Sequence, residues 1–166
     1  MKRLLPVLIS VVFLCSFGNE AVKLKRIKED NLPAPMAEHL ERFCSAKNYA
    51  RYYYSGDDRD KNKPVYIARL KCDGNKFIIT YKNDGSPIMA EMPLKLNELP
   101  AAVFYNLEND LKRSVKDFKI KEITEVSIHH LYKYRFLIKD VTKGERVFYT
   151  VYADSSGNIR DIILIK

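Results

Sequence analysis

The chain has 166 residues, 46% hydrophobic and 30% charged, with a formal net charge of +8. That is room for one domain or two very small ones, globular rather than disordered. Six Gly and three Cys exclude a collagen-like or densely disulfide-bonded scaffold, and a single long apolar stretch excludes a polytopic membrane protein.

That stretch lies at the N-terminus. Met1-Lys2-Arg3 is a short basic start, Leu4 to Leu14 is an apolar run broken only by Pro6 and Ser10, and the small or polar Ser16, Gly18 and Asn19 follow. This order predicts a secretory signal peptide over residues 1–18. The run is too short for a bilayer core of about 30 Å, which takes about 20 helical residues. Acylation at Cys15 would make a lipoprotein, but Phe13 and Leu14 are bulky where a small residue is wanted. Retention as an anchor is the remaining alternative. Losing Lys2 and Arg3 leaves 27 basic against 21 acidic side chains, a charge of +6. That balance suits a mixed, solvated surface, or a basic face for an acidic protein, an anionic glycan or a lipid headgroup. An exported chain with no nucleic-acid module points away from nucleic acid. No stable membrane span is expected after signal removal.

Residues 19–30 form a basic lead-in, expected to be poorly ordered. Residues 31–97 then read as a first helix-plus-sheet unit and 98–166 as a second. Asn31-Leu32-Pro33-Ala34 recurs as Glu98-Leu99-Pro100-Ala101, and Leu40-Glu41 as Leu107-Glu108, both 67 residues later. Pro33 sits where a helix would begin. Met36, Leu40, Phe43 and Cys44 follow the spacing of one helical face. Tyr49–Tyr54 reads as a strand, and Asp57–Lys63 as a charged loop. In the next strand Tyr66, Ala68, Leu70 and Cys72 alternate with Ile67, Arg69 and Lys71. Asp73-Gly74-Asn75 turns into Phe77–Lys82, and Asn83-Asp84-Gly85 turns into Ile88–Met92.

The second unit repeats the order. Pro100 opens a helix whose apolar face is Val103, Leu107 and Leu111, with Phe104 beside them. Ile120–His129 is the next strand. Tyr132, Tyr134, Phe136 and Ile138 then alternate with Lys133, Arg135, Leu137 and Lys139. Turns at Val141–Glu145 and Asp154–Gly157 lead into Arg146–Tyr152 and Ile159–Ile165. The fold class is therefore α+β: two tandem helix-plus-antiparallel-sheet units, their sheets separate or joined, with the helices on one sheet face.

Leu99-Pro100-Ala101-Ala102-Val103, the aromatic-rich Tyr132–Ile138 and the closing segment from Tyr152 to Ile159 carry a resemblance. They are similar to the PepSY-like domain of small exported bacterial proteins, itself similar to β-lactamase-inhibitor proteins. The resemblance implies a tandem, exported, β-lactamase-inhibitor-like fold that binds rather than catalyses. It is closer over 98–166 than over 31–95, where Ala34-Pro35-Met36 and the charged loop depart from the pattern.

Catalytic chemistry finds little support. His129 and His130 are neighbours on a strand and point to opposite faces, and His39 and Cys44 are five apart on a helix, so no metal site is expected. Cys72 falls on the apolar strand face, away from the access a nucleophile needs. No phosphate loop, serine elbow or dinucleotide fingerprint occurs. The expectation is a non-enzyme without cofactor.

Two cysteines survive signal removal. Cys44 aligns with Leu111 and Cys72 with Ile138, both core-facing, so the pair should be near neighbours, bonded or as buried free thiols. Tyr66, Tyr132 and Tyr134 are expected in the core. The candidate binding residues are Arg51, Tyr53, Arg69, Lys71, Lys133, Arg135, Lys139 and Tyr152, with Ile67, Leu137 and Phe148 on the same outward parity. If the sheets are continuous, they form one basic, partly aromatic face for a protein or an anionic envelope component. A small-molecule or lipid carrier, with a cavity between helix and sheet, is the alternative. An inhibitor of an exported hydrolase is a third reading.

Overall fold

A computed structural model describes residues 24–45, 49–55, 66–127, 132–142 and 147–165. The signal segment with Cys15, the charged loop 56–65 and His129 with His130 lie outside the described residues.

Among the described residues, nine strands form one antiparallel sheet in sequential order. They are β1 (Lys25–Ile27), β2 (Tyr49–Tyr54), β3 (Tyr66–Cys72), β4 (Asn75–Tyr81), β5 (Pro87–Leu94), β6 (Phe118–Ser127), β7 (Tyr134–Asp140), β8 (Val147–Ala153) and β9 (Ile159–Ile165). Helix α1 (Ala34–Phe43) lies between β1 and β2, and α2 (Ala101–Ser114) between β5 and β6. Part of the lead-in is thus ordered: β1 pairs with Tyr52–Tyr54. The sheet is one rather than two, because Ala90–Leu94 of β5 pairs with Ile123–Ser127 of β6.

Both helices begin after a proline in extended backbone, Pro33 at ψ 138° and Pro100 at ψ 135°. Proline fixes φ there without costing a helical hydrogen bond. Met36 and Leu40 of α1 are fully buried against Tyr52, Ala68, Leu70, Ile79 and Tyr81. Val103, Leu107 and Leu111 of α2 pack with Ile123, Phe136, Ile138 and Val151. Each such side chain contributes roughly 1.5–3 kcal/mol when fully buried. Both helices lie on the same side of the sheet. Ala90 and Leu94, an even number of residues apart on β5, point the same way; the first belongs to the α1 core and the second packs on the α2 core.

Two turns seat the helices. Gly85 and Gly157 have φ of +83° and +89°, and both press against a helix start. A Cβ at Gly85 would lie 2.9 Å from the Met36 nitrogen, and one at Gly157 would lie 2.3 Å from the Val103 carbonyl oxygen. Asp84 and Asp154 close these turns by accepting from the backbone N–H of Ser86 and Ser156 at 2.8 and 2.9 Å. Cys44, just past α1, is disulfide-bonded to Cys72 at the end of β3, with Cα atoms 5.8 Å apart.

Candidate functional site

Register decides which side chains share the helix-free face. Arg51 stands opposite Arg69, Arg69 opposite Ile78, Ile78 opposite Glu91, and Glu91 opposite Val126. Beside this row run Arg26, Tyr53, Ile67, Thr80 and Met89. Further along, Thr124 faces Arg135, Arg135 faces Tyr152, and Lys139 faces Phe148. Tyr52, Leu70 and Phe136, one residue off this parity, are in the cores. The structure therefore brings Arg51, Tyr53, Arg69, Lys71, Arg135, Lys139 and Tyr152 onto one face.

Lys133 is the exception. It precedes β7, and its ammonium is taken by Glu125 at 2.7 Å. Glu125 stands opposite Tyr134, a core residue on the helix side. Tyr132 also departs from expectation. It lies before β7, its ring centroid 4.5 Å from that of Tyr152, and its hydroxyl donates to Met89 Sδ at 3.7 Å. Its partners belong to the helix-free face, because the strand alternation that would have sent it to the core begins only at Tyr134. Tyr66 packs against the α1 core and Tyr134 is within the α2 core.

Charge divides the face. On β1 to β4 its positions hold Arg26, Arg51, Arg69, Lys71 and Lys76 and no carboxylate among the described residues. Two of these cations lie over tyrosines: Arg51 is 4.8 Å from the Tyr49 ring centre and Arg69 is 5.3 Å from that of Tyr53. Such contacts hold a guanidinium in place while leaving its charge available. On β5 to β9 the charge is balanced. Glu91 is 2% exposed, and its Oε1 lies 2.6 Å from Arg135 Nη1 in an ion pair rather than an aligned hydrogen bond. Burial pushes the Glu91 carboxyl above the usual carboxylate range, and the Arg135 guanidinium opposes that shift. Arg135 therefore answers an internal charge, and the single basic surface expected across both halves is confined to the first.

Sequence reasoning missed Glu91. The available signal was a carboxylate inside the apolar run Ile88-Met89-Ala90-Glu91-Met92, where a strand position without a partner would be costly.

Elsewhere on the molecule, His39 Nδ1 lies 3.0 Å from the Tyr81 hydroxyl. Burial, then the nearby Arg42, holds His39 below its usual pKa. No group of three or more His, Cys, Asp or Glu side chains among the described residues could hold a metal. No helix of the described residues is long and apolar enough to cross a membrane.

Solved structures share this architecture. A Bacteroides eggerthii protein ascribed to the periplasm aligns over 81% of this chain and 89% of its own, with a TM-score of 0.58 and 17% identity. A BLIP-like protein from Bacteroides fragilis aligns over 81% and 86%, with a TM-score of 0.60 and 12% identity. A DUF2874 family protein from Bacteroides ovatus aligns over 81% and 89%, with a TM-score of 0.61 and 13% identity. At these identities the likeness is one of fold. No protein-family model matches the chain, the PepSY-like pattern included, and no curated protein matches it.

Proposed function

We propose that this is an exported, non-enzymatic binding protein whose helix-free face on β1 to β4 captures an acidic protein surface or an anionic envelope component. One observation carries the reading: Arg26, Arg51, Arg69, Lys71 and Lys76 share a face with Tyr49 and Tyr53, with no opposing carboxylate on those strands among the described residues. Tyr and Arg are the side chains that most often anchor interfaces, and unopposed cations speed encounter with an acidic partner. Periplasmic export rests on the signal-like N-terminus and on the periplasmic ascription of the Bacteroides eggerthii neighbour. The same proposal takes the two halves as tandem copies of one PepSY-like unit. The paired prolines, the paired glycine turns and the order of one helix and four strands support it.

Inhibition of an exported hydrolase is the form of this reading favoured by the BLIP-like neighbour. A carrier is disfavoured, since Met36, Leu40, Leu107, Leu111 and Phe136 fill the space between helices and sheet and are fully buried. The test is capture from envelope extract by the mature protein and by Arg51→Glu/Lys71→Glu, two exposed positions. Capture should weaken roughly tenfold, as loss of interface charges implies, and its salt dependence should flatten. Unchanged capture by the folded variant would remove this face from consideration.

A further inference from the structure

The sheet carries an open edge in its interior, and it does so twice. Strand β6 pairs with β7 from Phe118 onward, but with β5 only from Ile123. On the β5 side, Phe118–Glu122 therefore has no strand partner among the described residues. Likewise β2 pairs with β3 from Tyr49, but with β1 only from Tyr52. The cause is the same in both places. The preceding strand stops at Leu94 or Ile27, and a 3-10 turn at Leu96–Glu98 or Glu29–Asn31 lifts the chain off the sheet toward the next helix. A groove opens at each step, of about 400 Å³ beside Phe118–Lys121 and about 520 Å³ beside Ala50–Tyr52.

The groove beside β6 is the smaller of the two and has four lysines in its lining. Its apolar lining is Leu96, Phe104, Phe118 and Ile120. Leu96 is 54% exposed, a large apolar side chain left uncovered next to an unpaired backbone. Lys116, Lys119 and Lys121 stand around it, exposed and without an ion pair among the described residues, while Lys112 is held by Glu108 at 3.0 Å. Lys121 is the extra residue of a β-bulge, between Ile120 opposite Ile138 and Glu122 opposite Leu137. A bulge re-aims the side chain it inserts. Here Lys121 lines the groove although it has no place in the ladder. Asp117 is the one exposed carboxylate of the lining.

The geometry points to a strand-accepting notch. An unpaired strand segment offers N–H and C=O groups at alternate residues and takes an extended chain by main-chain hydrogen bonding, while pockets along it choose the side chains. Five residues of edge, Phe118–Glu122, span about 17 Å at the usual strand rise. The lysines fix the chemistry of the occupant: an extended segment of another protein in which carboxylates alternate with aliphatic side chains. The aliphatic residues enter the groove and the carboxylates meet Lys116, Lys119 and Lys121. Lys119 stands opposite Lys139, so the site borders the β6 and β7 part of the helix-free face, but it is separate from the β1 to β4 surface and does not depend on it.

The probe is a fluorescein-labelled hexapeptide alternating Val and Glu, titrated into the mature protein by anisotropy, with amide exchange followed at residues 118–122. Saturable binding that weakens with added salt, with slowed exchange at 118–122, is the expected result. The alternating Val and Lys peptide, and the Val and Glu peptide N-methylated along one edge, should bind at least about tenfold more weakly. Lys119→Glu/Lys121→Glu should lose binding by a similar factor with its unfolding midpoint unchanged, since both positions are exposed. Equal binding of the Lys peptide, or binding with no change of exchange at 118–122, overturns the proposal. So does protection of those amides by protein concentration alone, which would assign the edge to a second copy. Absence of saturable binding overturns it as well.

Discussion

At Gly157 a backbone φ of +89° coincides with a Val103 carbonyl oxygen 2.3 Å from where a Cβ would sit. At Gly74 the φ is +86°, but nothing lies within 4 Å. The two glycines separate conformational strain from collision. Gly74→Ala should cost about 1 kcal/mol, the left-handed penalty alone. Gly157→Ala should cost about 2–4 kcal/mol, because backbone rather than a flexible side-chain end must give way. Urea unfolding of both variants measures the difference, and equal midpoints would mean that the helix start shifts freely. Arg135 is a second single-residue determinant. Arg135→Met leaves Glu91 buried without its cation, a loss of about 3–5 kcal/mol at neutral pH. Glu91 binds its proton more tightly in the folded state than in the unfolded chain. The penalty for its charge is thus absent below the unfolded pKa and grows as pH rises through the raised folded value. The deficit of the variant should shrink on acidification through the carboxylate range, and Glu91→Met/Arg135→Met should recover most of the lost stability at neutral pH. A deficit independent of pH would assign the loss to packing.

Helix α1 and its neighbours show what can be read from sequence at the scale of an element. The apolar spacing of Met36, Leu40 and Cys44 located the buried face, and the period-two alternation of Tyr66–Cys72 located the facing strand. Aligned with Leu111 and Ile138, Cys44 and Cys72 are expected to be neighbours, and they meet where the end of α1 and the end of β3 close the α1 core. Reducing the disulfide, or replacing both cysteines by Ala, should cost roughly 2–4 kcal/mol; thermal unfolding with and without reductant reports it. The lead-in strand β1 was not legible. Lys25-Arg26-Ile27 is short and cationic, without alternation, and its order comes from pairing with Tyr52–Tyr54. His39 gives the element its pH dependence. Its folded pKa lies below the unfolded value near 6.5, so the unfolded chain takes up the proton first. Stability should therefore fall as pH drops from about 6.5 toward the folded pKa. His39→Gln should flatten that limb, and an unchanged pH profile would show that the ring is not the source.

Across the whole molecule, the repeats of sequence predicted two helix-plus-sheet units but could not decide whether their sheets join. That depends on the pairing of Ala90–Leu94 with Ile123–Ser127 across the intervening α2, and strand alternation is silent about which edge meets which. The distribution of charge was hidden for the same reason. Arg69 and Arg135 look equivalent along the chain, yet the joined sheet sets Glu91 between the halves, and only Arg135 is paired to it. The face is consequently asymmetric, with Arg26, Arg51, Arg69, Lys71 and Lys76 on one side. On the other, Arg135 is engaged by Glu91, and Lys139 stands beside Phe148. Two single charge reversals test whether binding follows that asymmetry. Lys71→Glu changes the unopposed half and Lys139→Glu the balanced half, each on the helix-free face and at the periphery of its strand. Encounter with an acidic partner depends on the local field within a Debye length of about 8 Å at physiological salt. Lys71→Glu should therefore slow association several-fold at low salt, with the difference closing as salt rises, whereas Lys139→Glu should leave association nearly unchanged. Association rates over a salt series read this directly. Equal slowing by the two variants would mean that net charge, rather than the β1 to β4 face, governs capture.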